Sequence, residues 1–233
     1  MEHCNLGIRN KLTSKIFLKF GLIIFDYDGV LVDSQDTIIR SSNEFCSRHG
    51  IQKQVTHEML AQLDPATFPN IARKAHIPKA MIPEYAKYLS HKLRTTPDST
   101  PIFTGVSKML SGLEKYYTMA IVSANHITVI KERMQIAGLS NHFNIVFGSE
   151  HGSSKADHIR LALERTGCRR KRTWMIGDTV SDIDSALSVG IHALAATWGW
   201  QSKSFLKSRR PEKLFDRPSD IEDYLITLAK QYS

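Results

Sequence analysis

Four short apolar runs, at residues 22–25, 119–122, 145–147 and 174–176, constrain this chain more than any other feature. Each is too short for a helix, and an unbroken apolar run of that length reads as a buried strand. Helical spacings separate the last three: Ile127, Ile130, Met134 and Ala137, then Ile159, Leu161, Leu163 and Thr166. A further helical run covers residues 180–189. This alternation predicts an α/β fold, a Rossmann-like parallel sheet with helices on both faces. A fifth strand is expected at residues 193–196. A closing helix is expected over 220–230, where Ile221, Leu225 and Leu228 share a face.

The first interval breaks the alternation. Residues 34–100 carry helical patterns and no convincing strand, whereas a parallel crossover needs only about a dozen residues. The expected organisation is therefore an inserted α-helical cap over 34–100, a core over 21–33 and 101–233, and a basic N-terminal extension over 1–20. Asp33-Ser34 marks the entry to the insertion. Residues 95–101, with two prolines among small polar residues, mark the exit.

A chain of 233 residues that is 42% hydrophobic can bury a core and one modest insertion. Its formal charge of +8, from 31 Lys and Arg against 23 Asp and Glu, favours an anionic partner. Nucleic acid is not expected, because Arg169-Arg170-Lys171-Arg172 has no interleaved aromatic and reads as a solvated turn. A membrane is not expected either. The apolar stretch from Ile16 to Phe25 is interrupted by Lys19 and ended by Asp26, far short of the roughly 20 residues of a span. No small-residue cleavage site follows it, which argues against a signal peptide. Cys4, Cys46 and Cys168 form no CxxC pair, so neither a zinc knuckle nor a disulfide framework is indicated and a reducing cytoplasmic setting fits.

Candidate chemistry lies at the ends of the strands. Leu22-Ile23-Ile24-Phe25 runs straight into Asp26-Tyr27-Asp28-Gly29-Val30, at the sheet edge where open parallel sheets bind ligands. Two carboxylates one residue apart can turn towards one pocket. Their repulsion favours a bound cation or a raised pKa, and a hard, oxygen-seeking ion such as Mg2+ suits them. A second strand ends in Gly177-Asp178, which brings Asp178 to the same edge. Asp182 lies one helical turn later and can support the site from behind, while Asp184 points elsewhere. Ser123 follows the run Ala120-Ile121-Val122; its hydroxyl and the backbone N–H groups of Ala124 and Asn125 can hold a phosphoryl oxygen. Lys155, in Gly152-Ser153-Ser154-Lys155, supplies a compensating positive charge.

The ordered set Asp-x-Asp-Gly-Val, Ser after the second strand, Lys, then Gly-Asp-x-x-x-Asp resembles the haloacid dehalogenase superfamily from about residue 21 to the end. That resemblance implies Asp26 as nucleophile and Asp28 as general acid and base, with Ser123 and Lys155 holding phosphate. It further implies Asp26, Asp28 through its backbone carbonyl, and Asp178 as the magnesium ligands. The insertion resembles the small helical cap of the phosphoglycolate phosphatase-like branch. The implied activity is magnesium-dependent hydrolysis of a small phosphorylated metabolite through an aspartyl phosphate. Thr104-Gly105-Val106, Thr197-Trp198-Gly199-Trp200 and Leu214-Phe215-Asp216 are similar to phosphoglycolate phosphatases. Ala156-Asp157-His158 and Thr104 depart from that pattern.

Several rivals share the superfamily fold. A dehalogenase needs no acid at the position of Asp28. A phosphoglucomutase-like phosphotransferase needs a cap signature that is not evident, and nothing marks Lys53, Lys74 or Lys79 as the Schiff-base lysine of a phosphonatase. A non-catalytic binding protein would have little use for Asp26, Asp28, Ser123, Lys155 and Asp178 together. Trp198, Trp200 and Phe205 are expected to pack beneath the terminal helix, with a cover over the pocket mouth or a protein contact as the alternatives. His126 and His151 read as loop residues near the site.

Overall fold

The computed structural model describes residues 19–96, 100–151 and 154–231. Most of the basic extension, with Arg9, Lys11 and Lys15, lies outside the described residues, as do 97–99 in the exit loop, 152–153 and the His151 side chain. Among the described residues six strands form one parallel sheet: β1 (Gly21–Phe25), β2 (Tyr117–Val122), β3 (Ile145–Phe147), β4 (Thr173–Gly177), β5 (His192–Ala196) and β6 (Lys213–Phe215). Their order is β3-β2-β1-β4-β5-β6. β1 is central, with Phe25 level with Ile121 of β2 and Ile176 of β4. The sheet thus turns outward in both directions from β1, the topology that opens a crevice at the strand ends.

Ten α-helices accompany the strands among the described residues. They are α1 (Gln35–Arg48), α2 (His57–Ala61), α3 (Phe68–Lys74), α4 (Ile82–Thr95), α5 (Val106–Leu113), α6 (Ile127–Ile136), α7 (Lys155–Thr166), α8 (Val180–Val189), α9 (Lys203–Ser208) and α10 (Pro218–Gln231). Side chains alternate across β1 with the period of two that a strand imposes. Ile23 and Phe25 pack with Met109 of α5 and Ile221 and Leu225 of α10. Leu22 and Ile24 pack on the opposite face with Ile159 of α7 and Ile183 of α8. Because both faces are covered, the strand is apolar throughout.

Helices α1 to α4 surround a cluster of their own, with Phe45, Leu60, Ile71, Tyr85 and Leu89 buried together. The Ser42 and Tyr85 hydroxyls are 2.7 Å apart inside it. The chain enters and leaves this helical segment side by side: Asp33 N–H donates to the Pro101 carbonyl at 2.8 Å, and Val32 bridges Ile102.

Some sequence expectations are corrected. β6 has no counterpart among the apolar runs. Lys155 is the first residue of α7, its helix opened by a capping box between Ser154 and Asp157. Ala137, expected on the buried face of α6, is its exposed C-cap. The three aromatics do not form one group under the terminal helix. Trp198 packs on the cluster that includes α10, Trp200 is buried among the residues of α1–α4, and Phe205 lies half-buried in α9.

Candidate active site

The ends of β1, β2 and β4 and the start of α7 converge on one cavity of about 490 Å³. Asp26, Asp28, Ser123, Ala124, Asn125 and Lys155 all line it. Residues 65–69, the end of the loop before α3 and the start of that helix, close it from the side of the inserted helices. Asp26 continues the β1 ladder, its N–H donating to the Ile176 carbonyl at 2.9 Å. Its Oδ1 accepts the Tyr27 N–H at 2.7 Å, and its Oδ2 lies 3.2 Å from Lys155 Nζ.

Asp28 is turned differently. Its Oδ1 accepts the Ser34 hydroxyl at 2.5 Å and its Oδ2 the Asn125 side-chain amide at 2.9 Å. Ser123 Oγ accepts the Asn125 N–H at 3.0 Å, which leaves the Ser123 hydroxyl proton to donate. The Asn125 N–H, expected to face a ligand, is therefore directed at Ser123, while its amide holds Asp28.

The carboxylates of Asp26, Asp178 and Asp182 each place an oxygen within 4.8 Å of the others, and all three residues are buried. Asp182 is already engaged: Oδ1 meets Lys155 Nζ, and Oδ2 accepts the Thr179 N–H at 3.0 Å and hydroxyl at 2.7 Å. This capping box orients Asp182 behind the site as it starts α8. Asp178 Oδ2 accepts the Trp200 N–H at 2.7 Å, whereas its Oδ1 is buried with no hydrogen-bond partner among the described residues. A buried carboxylate oxygen so left is costly unless something fills the gap. An oxygen-seeking divalent cation fits this donor set. Asp184 is exposed and pairs with Arg209 at 3.2 Å.

Burial dominates the electrostatics. It pushes the Asp26 carboxyl up to about 7, with Lys155 opposing and Asp182 and Asp28 adding to the rise. It also holds Asp28 above the usual range against the Ser34 and Asn125 hydrogen bonds. Asp178 is raised well above the ordinary value by burial, then by Asp26 and Asp182. Burial disfavours the Lys155 ammonium, yet Asp182 and Asp26 outweigh it and raise that group.

Residues 23–196 match the family described as haloacid dehalogenase-like hydrolase. The chain belongs to that family. A phosphoglycolate phosphatase of Synechococcus elongatus is 29% identical over 213 residues, spanning 90% of this chain and 99% of its own length. A pyrophosphatase of Oceanobacillus iheyensis is 22% identical, spanning 91% of this chain and 98% of itself. A solved haloacid dehalogenase-like hydrolase from Streptococcus pneumoniae shares the fold, with a TM-score of 0.78 at 23% identity over 88% of this chain and 98% of that one. Among the described residues no helix of this hydrolase is long and apolar enough to cross a membrane.

Sequence reasoning missed three contributors to the hydrolase's site. Ser34 and Thr179 were readable only as polar residues beside helix starts, and the Trp200 backbone N–H carried no signal at all. Gly29 shows why its neighbourhood is glycine-rich. With φ at +80°, it sits where a Cβ would fall 2.1 Å from Asp178 Oδ2.

Proposed function

We propose that the protein is a magnesium-dependent phosphatase of the cytoplasm that hydrolyses a small phosphorylated metabolite through an aspartyl phosphate on Asp26. The observation that carries this reading is the meeting of Asp26 and Asp178 at the sheet edge, with Lys155 Nζ 3.2 Å from Asp26 and an Asp178 oxygen left unpartnered. Phosphatases among the similar proteins agree with it. Asp26, Asp178 and the Asp28 backbone carbonyl would hold the ion. When bound, magnesium neutralises the carboxylates and the phosphoryl oxygens facing them.

Asp26 attacks phosphorus, and the ester P–O bond breaks. Ser123, the Ala124 N–H and Lys155 hold the phosphoryl oxygens while Asp182 fixes Lys155. Asp28 gives its proton to the departing alkoxide, a role favoured by the raised pKa that burial confers. Water then attacks phosphorus in the acyl phosphate, Asp28 takes its proton, and Asp26 is released as carboxylate. The inserted helices act as a cap that keeps other water away.

Hydrolysis of an aryl phosphate tests this directly. Activity should require magnesium, and Asp26→Asn should lower kcat by about 10⁴-fold. Turnover that survives excess chelator, or an active Asp26→Asn variant, contradicts the assignment.

A further inference from the structure

A second cavity, of about 450 Å³, adjoins the first. Thr67, Phe68, Pro69, Ala124 and Ser149 line both, so the space continues from the loop after β2 outward along α4. Its outer wall is basic. Lys87, His91 and Arg94 recur at i, i+4 and i+7 on α4 and share one face, and His126 joins them from the N-cap of α6. No aspartate or glutamate lines this cavity among the described residues.

Lys92, which also lies on α4, pairs with Glu44 at 2.8 Å. Lys87, His91 and Arg94 have no ion-pair partner among the described residues. Glu150 approaches His126 at 3.6 Å, but its carboxylate accepts the Ile127 N–H at 2.9 Å and is held at the helix start. Lys87 and Arg94 lie two turns apart on this face, and an anion lying along it gains charge-assisted hydrogen bonds.

We propose that this basic shelf binds a second anionic group of the substrate, so that the preferred class is a phosphate ester with a distal phosphate or carboxylate. The inference rests on the phosphatase reading for the identity of the first group. One end enters the inner chamber at Asp26, and the other lies against Lys87 and Arg94. A lone phosphomonoester uses the inner chamber and leaves the shelf unpaired.

Two measurements on the full chain with magnesium separate the shelf from the chemistry. The first is calorimetric binding of propyl to hexyl monophosphonates, beside the same chains with a second terminal phosphonate or a terminal carboxylate. Two-ended compounds should bind about tenfold or more tightly, and the advantage should shrink as salt rises. The Lys87→Gln and Arg94→Gln double variant should lose most of that advantage, and whichever terminus gives the larger effect names the second group. Equal binding of one-ended and two-ended compounds overturns the proposal, as does a preference untouched by both salt and the variant. The second measurement is phosphate release from the corresponding phosphates. Binding preference without release keeps the shelf and removes the phosphatase reading, whereas release without preference does the reverse.

Discussion

Burial sets the behaviour of the central aspartate. Asp26 ionises near 3.8 in an unfolded chain and near 7 in the folded one, because the carboxylate loses its hydration inside the protein. A folded-state value raised in this way has a definite consequence. In chelator-treated protein its contribution to stability is fully present below about pH 4 and is lost as pH rises through about 7. An asparagine carries no such penalty. Asp26→Asn should therefore exceed the native chain in stability by about 1–2 kcal/mol near pH 8, an advantage that shrinks towards pH 5. Denaturant unfolding in chelator at both values measures it, and a native chain as stable as the variant near pH 8 would refute the burial argument. Gly29 makes the complementary case for space. A methyl group there meets Asp178 Oδ2, so Gly29→Ala should cost about 1–3 kcal/mol and weaken magnesium binding about tenfold or more. A calorimetric titration with magnesium that gives native affinity would show that the loop can yield.

Between elements, the loop after β5 performs the joining. Trp198 Nε1 donates to the Val30 carbonyl at 3.2 Å, and the Trp200 N–H donates to Asp178. Gln201, 2% exposed, accepts the Val180 N–H at 2.6 Å and donates to the Leu63 carbonyl at 2.7 Å. One side chain thus links the first turn of α8 to the end of the α2 region. Gln201→Leu keeps much of the volume but leaves both backbone groups buried and unpaired, at a cost of about 2–4 kcal/mol. Limited proteolysis should then cut within residues 57–74 sooner than in the native chain, and unchanged cutting would mean that the link is dispensable. This loop also marks the boundary of what the sequence discloses. Strands β1 to β5 are legible because each contains an apolar run between polar turns. Asp26 is legible because it follows such a run at once, and Asp28 and Asp178 because they lie within three residues of one, so the strand end aims them. β6 is three residues at the sheet edge with graded burial, and no run exists to detect. Gln201 is opaque because its partner Leu63 lies 138 positions away, and only the packed fold brings the two together.

Across the whole molecule, the proposed cap has a core separate from that of the sheet. Among the described residues, Val129 and Trp200 are the members of its buried cluster that come from outside α1–α4 and their loops. The chain crosses between the two parts along one pair of adjacent segments, held by the bond from Asp33 to Pro101. Parts with separate cores can move relative to one another, and such motion carries residues 65–69 across the cavity they line. The two cores should then open with different free energies. Leu89 is fully buried in the helical cluster, and its replacement by alanine should cost about 2–4 kcal/mol. In native-state hydrogen exchange, Leu89→Ala should speed the amides of α1 and α4 while leaving those of β1 and β4 near their native rates. If the strands speed up equally, cap and sheet unfold as one unit.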